Sequence, residues 1–261
     1  MNKAYNIIFK VCVLLTALFL TGCFKPTNYP QLDTTQPDIA VPPQQHIAGK
    51  SVENRPIMYY VLGQGPEVIF IMAAIHGDEP AGAPLVLKLA DYLQQNQRKF
   101  LTGRTVVLLP IANPDGLIQN TRYNTNGVDL NRNFATENRI NKKEFGLTAL
   151  SEPEAYIIEQ FIRKYNPERI VSIHQPYGCI DYDGPGQMLA NHMAEYCDLP
   201  VRKLGALPGS LGSFAGVTLG VPTITLEMQE NDSKLDPKIL WQRYGKALLA
   251  AITYPDPVED K

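Results

Sequence analysis

Residues 68–80 join an apolar run to two side chains that can bind a metal, and they read Val68-Ile69-Phe70-Ile71-Met72-Ala73-Ala74-Ile75-His76-Gly77-Asp78-Glu79-Pro80. Eight consecutive apolar residues are typical of a strand that is buried on both faces, as in a parallel sheet. The Gly-Asp-Glu-Pro turn then leads into a helical pattern. The sequence therefore predicts an α/β fold in which His76 lies at the carboxyl end of a central strand.

Two later segments also place a polar side chain after an apolar strand. Residues 151–165 carry helix signals, namely a Ser-Glu-Pro-Glu sequence that matches a capping box and apolar residues at helical spacing. The strand predicted over 169–173 follows and ends at His174, and the β-rich run 222–226 ends at Glu227. Because ligands of open α/β sheets bind outside the carboxyl ends of the strands, His76, His174 and Glu227 can share one crevice.

His76, Glu79 and His174 form a candidate ligand set for zinc. Catalytic zinc takes three nitrogen or oxygen ligands from the protein and leaves a fourth position for water. The His76 and Glu79 pair alone is weak evidence for a metal site, because a chain with four histidines contains His-x-x-Glu by chance roughly 20% of the time. A histidine beside a strand usually has a structural role, and we keep that simpler interpretation for His46 and His192.

The region between Glu79 and His174 holds the most specific motifs of the chain. They are Asn113-Pro114-Asp115-Gly116, Thr121-Arg122-Tyr123-Asn124 and Gly127-Val128-Asp129-Leu130-Asn131-Arg132-Asn133-Phe134. With the His-x-x-Glu pair, the distant histidine and the late glutamate, they resemble the zinc metallocarboxypeptidase family in content and order, from about residue 68 to residue 227. The resemblance implies one catalytic domain over residues 46–261, an α/β fold with a mixed central β-sheet flanked by helices.

The resemblance implies a metal centre and a residue that orients it. His76, Glu79 and His174 would hold one zinc ion, and the metal would make water acidic enough to supply hydroxide at neutral pH. Asp129 would accept a hydrogen bond from the other ring nitrogen of His76 and so fix the tautomer of that ring.

The resemblance also implies the groups that act on the substrate. Glu227 would be the general base that takes a proton from water and delivers it to the leaving amine. Arg122 would stabilise the charge on the carbonyl oxygen of the tetrahedral intermediate. Asn131 and Arg132 would bind a substrate carboxylate, because a planar guanidinium suits a bidentate pair.

Within that family, three segments are similar to the shorter bacterial members that act on cell-wall peptides. These members are murein peptide amidases, which cleave between γ-D-glutamate and meso-diaminopimelate, and the similar segments are residues 76–79, 181–185 and 208–214. The chain departs from the digestive members at Leu204-Gly205-Ala206-Leu207, where those enzymes carry a mobile tyrosine. Another group supplies that contact here, or the substrate does not need it.

Three other functions fit the same sequence less well. A carboxypeptidase that trims L-amino acids or a deacylase of N-acyl amino acids would use the same kind of centre, although a deacylase is expected to lack the Asn-Pro-Asp-Gly and Asn-Arg-Asn-Phe pieces. A lipoprotein that binds wall peptides without cleaving them is the alternative outside enzymes. The full set of expected catalytic residues favours an enzyme.

Residues 1–23 resemble a bacterial lipoprotein signal. Lys3 precedes an apolar core over residues 11–20, which is too short to span a bilayer comfortably, and Leu20-Thr21-Gly22-Cys23 follows. Removal of residues 1–22 would leave Cys23 as the acylated N-terminus, and more than one acyl chain gives stable anchoring. An uncleaved anchor helix is the simpler alternative. Because Phe24 rather than an aspartate follows, we expect the outer membrane, facing the periplasm, if the host has two membranes.

The composition after Cys23 predicts a tether and then one domain. Residues 23–45 are rich in Pro, Gln, Thr and Asn, which is typical of an extended flexible segment. The rest is long enough to bury a core without metal or disulfide support, and an apolar residue every fourth position from 240 to 252 predicts a core-packing helix. A net charge of −2 without basic clusters argues against a nucleic-acid partner, and we expect a monomer.

The four cysteines leave one possible disulfide. Cys12 is removed with the signal and Cys23 is acylated, so Cys179 and Cys197 remain. An oxidising compartment permits a bridge between them, although the spacing does not show whether their Cα atoms come close enough. A catalytic thiol is not expected, because a metal hydrolase already accounts for the chemistry.

Overall fold

The computed structural model describes residues 44–258. The predicted signal sequence, Cys23 and the predicted tether up to residue 43 lie outside the described residues. The domain boundary differs slightly from the expectation, since Gln44 and Gln45 already belong to the first strand, where they pair with Val61 and Tyr60. The composition of the sequence did not indicate that these two residues belong to a strand. An edge strand forms through backbone hydrogen bonds to its neighbour, and residues with polar side chains can form those bonds as well.

Residues 44–258 contain seven strands and six α-helices. The strands are β1 (Gln44–Lys50), β2 (Pro56–Gly63), β3 (Glu67–Ala73), β4 (Arg104–Leu109), β5 (Arg169–His174), β6 (Tyr177–Asp183) and β7 (Thr223–Gln229). The α-helices are α1 (Gly82–Gln95), α2 (Gln97–Phe100), α3 (Pro114–Gln119), α4 (Pro153–Tyr165), α5 (Gln187–Ala194) and α6 (Pro237–Thr253). Short 3₁₀ helices span Leu130–Arg132, Lys143–Phe145 and Glu230–Lys234, and a π-helical turn spans Gly212–Thr218.

The strands form one mixed sheet in the order β1-β2-β4-β3-β5-β7-β6. The four central strands β4, β3, β5 and β7 are parallel, and β1, β2 and β6 add antiparallel edges. Every residue of β5 is buried, as expected for a central parallel strand. The mixed central sheet flanked by helices that the resemblance implied is therefore confirmed.

Helices cover both faces of the sheet and bury two apolar layers. One layer packs α1, α5 and α6 against side chains such as Ile71 and Val171, and the other packs α4 against side chains such as Phe70 and Met72. The core-packing helix predicted near the end of the chain is α6, and its four predicted positions, Leu240, Tyr244, Leu248 and Ile252, are all buried. The two layers hold the sheet rigidly from both sides.

The start of α4 differs from the capping box that the sequence predicted. Glu152 is the N-cap residue, and no side chain caps the helix. The Ser151 hydroxyl instead donates to Glu152 Oε1 at 2.8 Å and accepts from Asn133 Nδ2 at 3.0 Å. Glu154 turns into the core, where it accepts from the backbone N–H of Val52 at 3.1 Å. Ser151 and Glu154, the two side chains that would form a capping box, are therefore hydrogen-bonded to other partners in the fold.

Cys179 and Cys197, the two cysteines among the described residues, are free thiols, so the possible disulfide between them does not form in this structure. Cys179 is buried within β6, and Cys197 is half-buried beyond the end of α5. Burial raises the pKa of both thiols above their ordinary value, which keeps them protonated. Between residues 44 and 258, no helix combines the length and apolar character needed to cross a membrane.

Candidate metal and catalytic site

The candidate site forms where β3, β5 and β7 end at the same edge of the sheet. His174 is the last residue of β5 and lies opposite Glu227 of β7 in register. His76 follows β3 after a turn in which Ala74 adopts a φ of +51°, a conformation that a non-glycine residue seldom takes. The backbone carbonyl of Ala74 accepts from the N–H of Asn113 at 2.9 Å, and this bond holds the turn against the segment after β4.

The Asn-Pro-Asp-Gly motif holds the segment around His76 in place. The side chain of Asn113 accepts from the N–H of Gly116 at 2.9 Å and donates to the carbonyl of Ile75 at 3.3 Å. Gly77 packs directly on the backbone of Gly116, since a Cβ on Gly77 would lie 1.9 Å from the Gly116 carbonyl carbon. Only glycine permits this approach, and the two motifs are thus packed together in one corner of the fold.

Three buried side chains converge on one point in the way a metal ion requires. Glu79 lies between the two histidines, with Oε1 2.7 Å from His76 Nδ1 and Oε2 2.8 Å from His174 Nδ1. One ligand atom from each of the three lies within 4.8 Å of the others. Two imidazole nitrogens and one carboxylate oxygen match the protein ligands of a catalytic zinc site, so the residues present fit zinc.

Asp129 contacts His76 on the side of the ring that faces away from Glu79. Its Oδ1 lies 3.1 Å from His76 Nε2, so that ring nitrogen faces Asp129 while Nδ1 faces Glu79. Asp129 Oδ2 accepts from Arg122 Nε at 2.9 Å, and Oδ1 accepts from the N–H of Asn131 at 3.0 Å. A carboxylate in this position selects the tautomer that leaves Nδ1 free as a ligand.

The charges in this cluster favour anionic carboxylates. Burial alone would raise the pKa of Glu79, but the charges and hydrogen bonds of His174 and His76 outweigh burial and hold the pKa well below its usual range. Burial likewise opposes ionisation of Asp129, and the hydrogen bond from His76 with the nearby arginines lowers its pKa. Both carboxylates are therefore charged at neutral pH and available to hold a cation and its histidine.

Glu227 occupies a different electrostatic environment in the same cavity. Its side chain is buried, and its Oε2 receives one long contact, 3.5 Å, from the N–H of Tyr177. Burial raises the pKa of Glu227, and His174 offsets only part of this effect. A buried carboxylate with few hydrogen bonds holds a proton more readily than a solvated glutamate does, which suits a group that accepts and releases protons.

The structure places the predicted cationic and amide side chains around the same cavity. Arg122, Asn131 and Arg132 all line it beside the three candidate metal ligands. Arg122 is held by Asp129 and also approaches Glu79 Oε1 at 3.5 Å. Asn131 Oδ1 accepts from the N–H of Leu211 at 2.8 Å, so this residue also fixes the late loop. All eight predicted site residues are thus brought together.

Several further residues that line the cavity were not singled out as site residues from the sequence. They are Ser172, Gln175, Tyr177, Asp181, Asp183, Thr223 and Thr225, with the apolar side chains of Leu204 and Leu207 on one wall. Asp181 Oδ1 fixes this wall by accepting a hydrogen bond from the N–H of Leu204 at 2.8 Å. Aspartates alternating along one strand were the signal that could have indicated a polar face.

Ser172, whose Oγ is fully buried, and Asp183 have no hydrogen-bond partner for their side chains among the described residues. Asp183 is 4% exposed, and its side chain makes no hydrogen bond to any residue between 44 and 258. Burial, with the negative charge of Asp181, raises the pKa of Asp183 to about 6, and Lys203 opposes the shift weakly. Ionised Asp183 is therefore a destabilising feature of the folded domain.

Comparison with known proteins identifies relatives by sequence. The zinc carboxypeptidase family model matches residues 31–191. Murein peptide amidase A of Escherichia coli (strain K12) is 32% identical over 207 residues, which are 72% of this chain and 82% of that protein. Murein peptide amidase A of Vibrio campbellii is 29% identical over 199 residues, covering 69% of this chain and 77% of that protein.

Solved structures show the same fold. The murein-tripeptide amidase of Escherichia coli O157 has a TM-score of 0.61 and 25% identity, with 84% of this chain and 94% of that chain covered. Carboxypeptidase A of Helicoverpa armigera has a TM-score of 0.67 and 20% identity, with 82% and 69% covered, and this likeness concerns the fold alone.

We expect Asp183→Asn to stabilise the folded protein at alkaline pH. The folded pKa of about 6 lies above that of an unfolded aspartate, about 4, so the ionised carboxyl costs about 3 kcal/mol of folding free energy at pH 8. This cost shrinks as the pH falls from 6 and is lost below about 4, where both states are protonated. Urea unfolding at pH 8, 6 and 4.5 measures the difference. Equal stability of variant and wild type at pH 8 would contradict it, and Asp91→Asn on the surface is the control.

Proposed function

Because the chain belongs to the zinc carboxypeptidase family, and is therefore a hydrolytic enzyme, we propose that it cleaves peptides derived from peptidoglycan. The bond we propose joins γ-D-glutamate to meso-diaminopimelate. The similarity to two murein peptide amidases supports this substrate class. The observation that carries the proposal is the buried His76, Glu79 and His174 cluster with Glu227 in the same cavity.

The metal of this family fits the three convergent side chains. His76 and His174 would each bind zinc through Nδ1, and Glu79 would bind through its carboxylate. When bound, zinc supplies a Lewis acid that polarises a carbonyl and makes water acidic at neutral pH. The hydrogen bond from His76 Nε2 to Asp129 keeps the first ligand oriented, and the N–H of Gln175, 3.1 Å from Glu79 Oε2, orients the carboxylate.

Glu227 would carry protons through the reaction. Its carboxylate takes one proton from the attacking water as the oxygen bonds to the scissile carbonyl carbon. It then gives that proton to the amide nitrogen as the carbon–nitrogen bond breaks and the amine leaves. The raised pKa of Glu227 supports both steps, since a catalytic acid and base works best near the operating pH.

The two arginines would act on two different negative charges of the substrate. Arg122, fixed by Asp129, is positioned to stabilise the negative charge that develops on the carbonyl oxygen. Arg132 and Asn131 would bind the carboxylate of the leaving residue. Burial lowers the pKa of Arg132 without neutralising it, and a partly desolvated guanidinium pairs strongly with a carboxylate.

We further propose that the enzyme is held in the cell envelope by a lipid on Cys23. The lipoprotein-like pattern of residues 1–23 supports an anchored protein, and the residue after Cys23 supports the outer membrane, facing the periplasm. Such a position would bring the catalytic domain to peptides of the wall. Incorporation of labelled palmitate into the wild type but not into Cys23→Ala would test the anchor.

Free diaminopimelate should be released from L-Ala-γ-D-Glu-meso-diaminopimelate by the zinc-loaded protein. Loss of the Glu227 proton transfer should reduce turnover by about 10²–10⁴-fold in Glu227→Gln, while one zinc ion per chain is retained. Mass spectrometry of the products and metal analysis of both proteins provide the measurement.

No release by the folded, zinc-loaded wild type would contradict the proposed substrate. It would favour another carboxypeptidase substrate or a binding role. Release by Glu227→Gln at a rate close to that of the wild type would leave the substrate assignment intact but remove Glu227 as the proton carrier.

Arg132→Ala should discriminate between a free and a blocked substrate carboxylate. We expect kcat/KM for the tripeptide to fall about 100-fold, the size of a lost charge-assisted pair, because the carboxylate loses its guanidinium partner. For the same tripeptide amidated at the α-carboxyl of diaminopimelate, the substitution should lower kcat/KM far less. Arg132→Lys keeps the positive charge but loses the planar guanidinium. Its kcat/KM for the free tripeptide should lie between those of the wild type and Arg132→Ala. Equal losses on the free and amidated peptides would rule out this role for Arg132.

A further inference from the structure

The cavity continues from Glu227 along a polar face of the sheet. On β7, Glu227, Thr225 and Thr223 share one face because side chains alternate along a strand. On β6, Asp181 pairs with Thr225 and Asp183 pairs with Thr223, so both aspartates belong to this face. All of these residues line the cavity. The face thus leads from the proposed reacting centre to two carboxylates.

Two glycines leave room for the Asp183 side chain at this position. A Cβ on Gly212 would lie 1.9 Å from Asp183 Oδ2, and a Cβ on Gly216 would lie 2.5 Å from Asp183 Cβ. Both glycines belong to the π-helical turn that follows the late loop. A side chain at either position would displace the aspartate. The domain therefore accommodates a buried carboxylate without giving it a hydrogen-bond partner.

The nearby lysine does not neutralise Asp183 by a direct ion pair. Lys203 Nζ donates to the backbone carbonyl of Tyr182 at 3.1 Å and lies 4.2 Å from the centroid of the Tyr182 ring. Tyr182 points to the opposite face of β6 from Asp183, because neighbouring side chains alternate. A buried, unpaired carboxylate is costly, and a cationic ligand would remove the cost.

We propose that Asp183, assisted by Asp181, binds the side-chain ammonium of the residue that leaves with the amine. This inference rests on the proposed function, because it assigns a substrate group to the same cavity. Asp183 is then the residue that selects a cationic C-terminal residue over an apolar one. L-Lysine presents an ammonium at the end of a four-carbon chain, and meso-diaminopimelate carries an ammonium on its fourth side-chain carbon, beside a second carboxylate.

The dimensions of the face agree with such a substrate. Strands rise about 3.3 Å per residue, so Asp181 lies about 7 Å and Asp183 about 13 Å along the sheet from Glu227. An extended side chain of the lysine type places its nitrogen about 9 Å from the scissile carbon, between the two aspartates. Leu204 and Leu207 line the same cavity and offer apolar surface to the methylene groups. Arg132 and Asp183 would thus bind opposite charges of one residue.

A substrate series in the zinc-loaded full chain tests this assignment. Three peptides of the form L-Ala-γ-D-Glu-X carry meso-diaminopimelate, L-lysine or L-norleucine as X, and norleucine lacks the ammonium. We expect the wild type to prefer each charged peptide over norleucine by about 100-fold or more in kcat/KM, since a site built for a polar group rejects an analogue that lacks it. Asp183→Asn should bring both ratios close to one.

A second variant tests whether the effect comes from the position of the Asp183 carboxylate and not from a loss of folding in Asp183→Asn. Gly212→Ala places a methyl group against Asp183 Oδ2 and should lower the same ratios while Asp183 remains. Asp91→Asn, at an exposed position of α1, should keep the wild-type ratios. Urea unfolding confirms that each variant is folded before its kinetics are compared.

The outcomes separate this inference from the proposed function. Release of X from all three peptides without preference for charge, or unchanged ratios in Asp183→Asn, overturns the role of Asp183 and leaves the γ-glutamyl activity standing. If no γ-linked peptide is cleaved, the proposed function fails, and the ratio is then measured with an α-linked acyl-lysine and its acyl-norleucine analogue. A lysine preference that Asp183→Asn abolishes would retain the inference, and its absence would overturn it.

Discussion

The contact of one buried carboxylate with two imidazoles is the constraint on which the site depends. Glu79 lies within 2.8 Å of both His76 and His174, although His174 is 95 residues away along the chain. Charged groups seldom persist in a buried position unless they are paired or bind a metal. Parallel strands solve the geometric problem, because β3 and β5 are neighbours and end at the same edge of the sheet. The apolar layers on both faces of the sheet then stabilise the strands that position these three candidate ligands.

Backbone contacts position the residues of the site as much as hydrogen bonds between polar side chains do. The close approach of Gly77 to Gly116 and the hydrogen bonds of Asn113 tie the first ligand segment to the loop after β4. That loop leads on to Arg122 and Asp129, which hold each other at 2.9 Å. The candidate metal ligands His76 and Glu79 are therefore joined to Asp129 and Arg122 in one network of polar contacts. Such preorganisation allows charge to be stabilised without rearrangement during the reaction.

The sequence predicted the elements whose signals are local and missed what depends on pairing. The apolar strands that lead to His76, His174 and Glu227 were evident because central parallel strands are continuously apolar. The capping box at Ser151 was wrong, because Asn133 and buried partners of Glu154 compete for the same side chains. Asp181 and Asp183 were not recognised as part of the site, since only the antiparallel pairing of β6 with β7 brings them beside Thr225 and Thr223. The cost of burying Asp183 fits a general trade between stability and function.

The central claim is that His76, Glu79 and His174 hold one zinc ion, and anomalous diffraction from crystals of the zinc-loaded protein tests it most directly. Data on either side of the zinc absorption edge should give one peak about 2.0–2.2 Å from His76 Nδ1, His174 Nδ1 and a carboxylate oxygen of Glu79. Asp129 should remain outside this distance and bonded to His76 Nε2. A peak elsewhere, or a zinc ion bound through Asp129 in place of Glu79, would contradict the account.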